Sequence, residues 1–443
     1  MLRKLVHLTW PVLIAQLALM ANSVIDTVMA GRLSAVDLAA VGIGASIYIT
    51  VFVSVMGVLL ALTPTVAHLY GAGRHSEIGE ELRQSAWLSL LLAAIVIALL
   101  RHPQPFLTLS QLNPVMEAKV RAYLDALSWG VLPALFFRIF YGFSTGIGKP
   151  RPVMVLNLIA VALKVPLNTL FMFGAWGLPG LGGPGCAVAT TLTATLTCVL
   201  AWSWCGRIEE YRCYGIFARF SPPSPARLLG LLKLGLPIGA TFFVDVTAFT
   251  FMALFIARLG PVISAAHQIA ANLAALCFML PMALGNAASV LAAQALGAGQ
   301  PQQARRAGWT GIGGGVCMAA LTCLILAWAA ADIAGLYTRD EEVRLVASTL
   351  ITYIAFYHFF DAMQGVAVNL LRSYKKTTLP MVVFALALWG VGLGGGYLLA
   401  LTDTLVSPMG ARGFWLAGAI AMALAGGMMT AFFQHESRRA LRR

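Results

Sequence analysis

The sequence predicts an all-α integral membrane protein, with twelve transmembrane helices in two six-helix lobes related by a parallel internal repeat. Three observations carry this. Of 443 residues, 59% are hydrophobic and 11% charged, where soluble domains hold about 25% charged residues. Apolar runs of bilayer length recur along the chain. The second half also repeats the first in register. A mean hydropathy of +0.82 exceeds what a single water-soluble core can bury, and it excludes disorder, collagen and a disulfide scaffold. Membrane barrels alternate apolar and polar residues over about ten-residue segments, whereas the runs here are unbroken.

Taken in order, the spans lie near 9–30, 38–62, 85–100, 123–144, 153–173, 186–204, 235–257, 265–288, 309–331, 343–371, 381–401 and 414–433. The third is short. The first begins too early, and carries an acid too deep, for a cleavable signal. Twelve spans place the even-numbered loops and both termini on one side of the membrane. That side carries twenty of the thirty Lys and Arg residues, from Arg3 and Lys4 to the tail Arg438, Arg439, Arg442 and Arg443, and the other side carries eight. Arg138 and Lys164 lie inside spans. The positive-inside rule therefore predicts cytoplasmic termini in a multi-pass protein of the cell (inner) membrane. The formal charge of +13 is spread through short loops beside anionic lipid and forms no basic domain for nucleic acid. Seven cysteines contain no C-x-x-C pair and read as small packing residues.

The repeat is read from position. Tyr70-Gly71-Ala72-Gly73-Arg74 recurs as Leu296-Gly297-Ala298-Gly299-Gln300 at an offset of 226, which also carries Pro11 onto Pro237, Arg32-Leu33 onto Arg258-Leu259 and Ala39-Ala40 onto Ala265-Ala266. Later the offset becomes 228, carrying Pro152 onto Pro380, Gly182 onto Gly410, Gly185 onto Gly413 and Ala189 onto Ala417. Six spans per half give both halves the same orientation, a parallel repeat. The predicted organisation is an N-lobe over 1–204 (helices 1–6), a cytoplasmic linker over 205–233 and a C-lobe over 234–443 (helices 7–12). Ser221-Pro222-Pro223-Ser224-Pro225 at the join favours extended, non-helical chain. Two such lobes predict a central cavity, a substrate site near the midplane and rocking that opens one side at a time.

Ionisable groups inside a span cost about 2.5–3.5 kcal/mol on insertion scales, which makes each a functional candidate. Three acids lie deep: Asp26 in span 1, Asp245 in span 7 and Asp361 in span 10. Asp26 aligns with Met252 and Asp245 with Leu19, so the acids of the two repeats differ in depth by seven residues, roughly 10 Å. Tyr357 precedes Asp361 by one turn on the same face. A carboxylate with a phenol and aromatic faces nearby suits a bare cation, and equally a proton, since desolvation favours the neutral acid. Asp245 is wrapped similarly by Phe242 and Phe243, and shares one site with Asp361 if spans 7 and 10 face each other. His358 points off that face. Lys164 in span 5 either pairs with Asp26, holding it ionised, or snorkels to an interface. Asn157 and Asn168 flank it, as cavity linings or as helix–helix hydrogen bonds. A coupling Na⁺ would fall at Asp361 and Asp245.

Two patterns carry no chemistry. Gly142-Phe143-Ser144-Thr145-Gly146 spells a nucleophile elbow but ends a membrane span without the strand–turn–helix setting. Gly146-Ile147-Gly148-Lys149 lacks the phosphate-loop spacing. With no nucleotide-binding domain, uphill transport must draw on an ion gradient, and no further cofactor is expected. The Gly-Ala-Gly turns after spans 2 and 8 read as helix ends that help the lobes move.

Several segments together resemble the multidrug and toxic compound extrusion (MATE) transporters, NorM-like branch. They are Pro11 through Asp26-Thr27-Val28-Met29-Ala30-Gly31, Gly235-Leu236-Pro237-Ile238 leading to Asp245, and Ala265-Ala266-His267-Gln268. Gly185-Cys186-Ala187-Val188-Ala189-Thr190 also matches, as does Asp361 followed by Leu371-Arg372-Ser373-Tyr374-Lys375. The resemblance runs in order through both lobes. It implies a cation-coupled (Na⁺ or H⁺) antiporter that exports large, often cationic aromatic compounds. By the same likeness Asp361, Asp245 and Tyr357 bind the coupling cation and Asp26 takes a proton or contacts drug. Two departures stand out. The span 7 acid, usually Glu, is Asp245, and the Asn-x-Pro-Leu-Asn pattern of span 5 reads Lys164-Val165-Pro166-Leu167-Asn168. The lysine puts proton coupling through Asp26 in question.

The expected function is multidrug efflux of amphipathic organic cations by alternating access, with the lipid bilayer as surroundings and a single chain as the working monomer. The alternative is a flippase of lipid-linked precursors. That would favour a strongly cationic cavity, and one lysine beside three acids argues against it. A membrane enzyme lacks any catalytic constellation.

Overall fold

The computed structural model describes every residue except 111, 175, 176, 178, 405 and 443, so Arg443 lies outside the described residues. Among the described residues twelve helices are long and apolar enough to cross a membrane: α1 Leu2–Leu33, α2 Ala35–Gly71, α3 His75–Arg101, α4 Pro114–Gly146, α5 Arg151–Phe173, α6 Gly185–Arg207, α7 Pro225–Ala257, α8 Pro261–Gly297, α9 Pro301–Trp328, α10 Glu341–Ser373, α11 Thr378–Leu401 and α12 Ala411–Leu441. Each contains one apolar run seen in the sequence, except that the ninth, 309–331, passes the end of α9 at Trp328 into a short helix Ala330–Tyr337. The helices outrun the runs because their first and last turns are polar. The short third run belongs to a 27-residue helix whose opening turns carry Glu77, Glu80, Glu81 and Arg83.

The helices form two compact units, Trp10–Gly239 (the N-unit) and Met1–Thr9 with Ala240–Arg443 (the C-unit). The division falls within α7. Leu228, Leu231 and Leu232 of its first turns join the N-unit core beside Val58 and Leu88. A Cβ at Gly235 or Gly239 would stand 2.3 or 2.5 Å from the carbonyl oxygens of Val58 and Ser54. In the same way Leu5 and Leu8 of α1 join the core of the C-unit.

The join between repeats is held to α3. Glu80, Arg83, Gln84 and Trp87 share one face at helical spacing, and Arg83 donates to the carbonyls of Gly215 and Ile216 at 2.6 and 3.1 Å. Ser221 donates to Glu80 at 2.7 Å, and its carbonyl accepts from the Trp87 indole at 3.0 Å. Part of the stretch is helical after all. Glu209–Tyr214 forms a 3₁₀ turn that buries Tyr211 and Tyr214 against Phe143, and Pro225 starts α7. Residues 215–218 turn, and only 219–224, which hold Pro222 and Pro223, are without helix or turn.

The repeat is visible in how helices end. Gly73, Gly148 and Gly299 follow α2, α4 and α8 with φ of +70, +80 and +69°. After each, the next backbone N–H reaches back five residues: Arg74 to Leu69, Lys149 to Ser144 and Gln300 to Ala295, all at 2.9 Å. This is the Schellman end that a left-handed residue permits. The fourth end, after α10, has the same bond from Lys376 to Leu371 at 3.0 Å, but the left-handed position is Lys375, φ +56°. The Gly-Ala-Gly segments are thus helix stops. Ser144 of the apparent elbow is buried and donates to the Lys149 carbonyl at the end of α4.

Candidate functional sites in each unit

In the N-unit, Asn157, Lys164 and Asn168 lie on one stripe of α5, spaced by seven and four residues. All three are buried. Asn157 donates to the Ala15 carbonyl at 3.2 Å and Asn168 to Asp26 Oδ1 at 2.7 Å. The two contacts are eleven residues apart on both α1 and α5, as parallel neighbouring helices with equal rise require. Asn157 is therefore a helix–helix bond about 16 Å from the acid, and only Lys164 and Asn168 stand with Asp26.

Lys164 Nζ lies 3.0 Å from Asp26 Oδ1, and its side chain is 2% exposed. It also donates to Thr190 Oγ1 and, at 3.3 Å, to the Cys186 carbonyl. Of the two readings of this lysine, pairing and snorkelling, the structure shows the pair. Thr190 and the Cys186 carbonyl were not singled out from the sequence. A threonine in an apolar span is too common to signal a role, and a backbone carbonyl carries no sequence signal. On the same two helices, Val24, Ile25, Val28, Arg32, Val165 and Phe173 line a groove of about 530 Å³, which neither Asp26 nor Lys164 lines. That volume is within the range of small-molecule sites, and its walls are largely apolar.

In the C-unit, Tyr357 and Asp361 sit one turn apart on α10, 5% and 8% exposed. Helix α10 packs against α8, α9 and α12. Glycines allow the close approach, since a Cβ at Gly285 would stand 3.1 Å from the Val366 Cα. Asp245 of α7 lies within electrostatic reach of both Asp361 and Tyr357, with no hydrogen bond to either among the described residues. The Trp389 indole donates to the Val244 carbonyl at 3.1 Å, tying α11 to α7 beside Asp245. Neither acid has an ion pair or hydrogen bond among the described residues. Tyr357 stands edge-on to Phe249 and Trp415, with ring centroids 6.4 and 5.5 Å away. These three aromatics line a cavity of about 20 Å³, enough for roughly one water-sized body. His358 is buried, and its Nδ1 has no hydrogen-bond partner among the described residues.

The two units thus differ in charge. Asp26 of the N-unit is matched by a lysine at contact distance, while Asp245 and Asp361 of the C-unit have no ion pair with a cation among the described residues. The described residues contain no cluster of three or more His, Cys, Asp or Glu fit for a metal ion.

Known proteins resemble this chain along its length. The MatE family model matches residues 11–170 and again 237–398. These stretches begin 226 and end 228 residues apart, the two offsets of the internal repeat. A probable multidrug resistance protein NorM of Aromatoleum aromaticum is 42% identical over 424 residues, covering 95% of this chain and 91% of that protein. Another, from Chromobacterium violaceum, is 36% identical over 442 residues, covering 100% and 95%. A crystal structure of MATE in the bent conformation has a TM-score of 0.90 at 17% identity, covering 99% of this chain and 96% of that one. That last likeness concerns the fold.

Proposed function

This chain belongs to the MatE family of multidrug and toxic compound extrusion transporters, and from that premise we propose that it is a Na⁺- or H⁺-coupled antiporter exporting amphipathic organic cations. One observation carries the coupling site: Asp245 and Asp361 lie within electrostatic reach of each other in an apolar unit, with no basic partner among the described residues. Two carboxylates so placed repel each other and are costly to leave charged. Binding a cation from outside relieves both, and the Tyr357 hydroxyl supplies a further oxygen. If binding is stronger when the acids face the outside, an inward gradient biases the cycle toward export. The two repeats would rock to open the site to one side of the membrane at a time. The apolar groove of the N-unit suits bulky aromatic compounds without demanding one shape. The twenty-to-eight distribution of Lys and Arg supports cytoplasmic termini in the inner membrane, and one chain with both repeats supports a working monomer. In dye-loaded cells, Asp361→Asn and Asp245→Asn should express as folded proteins that no longer expel ethidium. Efflux at the wild-type rate from either variant would remove that residue from the coupling site.

A further inference from the structure

We propose that Lys164 is a tethered counter-cation. It occupies the N-unit acid throughout, so that Asp26 takes up neither the coupling ion nor a substrate cation, and the C-unit acids alone drive the cycle.

The geometry is that of a satisfied ammonium. A lysine head has three N–H donors, and Lys164 Nζ has three oxygen acceptors: Asp26 Oδ1, Thr190 Oγ1 and the Cys186 carbonyl. Asp26 receives a second donor from Asn168. The pair brings no net charge into the membrane, so no ion from outside is needed to neutralise it. The titratable groups facing Asp26 are Lys164 from α5, Cys186 from α6 and Tyr123 from α4. No second acid stands beside it among the described residues, unlike the C-unit. Pro166 lies two residues beyond Lys164 inside α5, and the helix widens to a π turn over Thr169–Phe173. The stretch from Lys164 to Asn168 is still α-helical, and its four-residue spacing puts both side chains on the same carboxylate.

The inference rests on the antiporter reading only for its consequence, that one site couples. Its test needs no transport. Infrared spectra of the purified full-length protein in lipid nanodiscs would follow the protonated-carboxyl stretch from about pH 5 to about pH 9. Wild type and Asp26→Asn should superimpose there. Lys164→Asn should gain one titrating band, which Lys164→Asn/Asp26→Asn lacks, and Lys164→Arg should behave as wild type. A titrating band present in wild type and lost in Asp26→Asn would overturn the proposal. So would a well-folded Lys164→Asn that gains no band. If Lys164→Asn does not fold, the comparison of wild type with Asp26→Asn still decides. A failure of the C-unit variants to stop efflux would refute the coupling site and with it the clause that the C-unit acids alone drive the cycle, while the occupation of Asp26 by Lys164 would still be decided by the spectra.

Discussion

Removing the lysine head should cost far more than its place in an apolar helix suggests. Lys164→Met keeps the length of the side chain and fills the same space, but it leaves Asp26, 14% exposed, with Asn168 as its remaining donor. Breaking a buried pair from one side costs about 3–5 kcal/mol, and the partial exposure of the acid favours the lower end, about 3 kcal/mol. Asp26→Asn should cost about 3–4 kcal/mol, because it leaves the Lys164 ammonium, 2% exposed, without its counter-charge, and the amide oxygen replaces only part of that contact. The double variant leaves no unpaired charge and should fall about 2 kcal/mol short of the sum of the two. Reversible unfolding in mixed micelles with rising SDS, run on all four proteins, measures the cycle. Additivity within about 0.5 kcal/mol would show that the two groups do not act as a pair.

Lys375→Gly should stabilise the protein by about 1 kcal/mol in the same unfolding assay, since a left-handed residue with a Cβ is strained by roughly 1–2 kcal/mol; an unchanged midpoint would show that the position carries no strain. Gly79→Ala should loosen the join between repeats, because its Cβ would stand 2.1 Å from the Tyr214 carbonyl oxygen. Limited proteolysis should then cut between 208 and 224 faster than in wild type, and equal rates would count against that contact. Tyr357→Phe keeps the ring against Phe249 and Trp415 and removes one oxygen. It should unfold like wild type yet need about tenfold more coupling ion for half-maximal efflux, as for the loss of one ligand worth about 1–1.5 kcal/mol.

The architecture was legible because lipid leaves a chain few options. Each span must bury its own backbone bonds, so helix number follows from apolar runs, and the duplication follows from glycines and prolines at fixed offsets. The left-handed angles at Gly73 and Gly299 are the physical reason two of those glycines recur. The acids stood out for the same reason: Asp26, Asp245 and Asp361 are expensive where they are. Their partners were less legible. Nothing in α5 alone tells whether Lys164 turns inward or snorkels, because that depends on whether α1 presents an acid at the matching depth. Asn157 and Asn168 look alike in sequence, yet one meets a backbone carbonyl and the other a carboxylate. The attachment of the 205–233 segment to α3 rests on backbone carbonyls that any sequence would supply. The unit boundary inside α7 depends on which helices its first turns touch.

The measurement closest to the central claim is ethidium transport in proteoliposomes holding purified wild type or Asp361→Asn, with a Na⁺ gradient and a pH gradient imposed separately. The account predicts uphill dye movement in wild type driven by one of these gradients, and none in the variant under either. Equal uphill transport by Asp361→Asn would contradict it, and so would dye movement in wild type that persists when both gradients are collapsed.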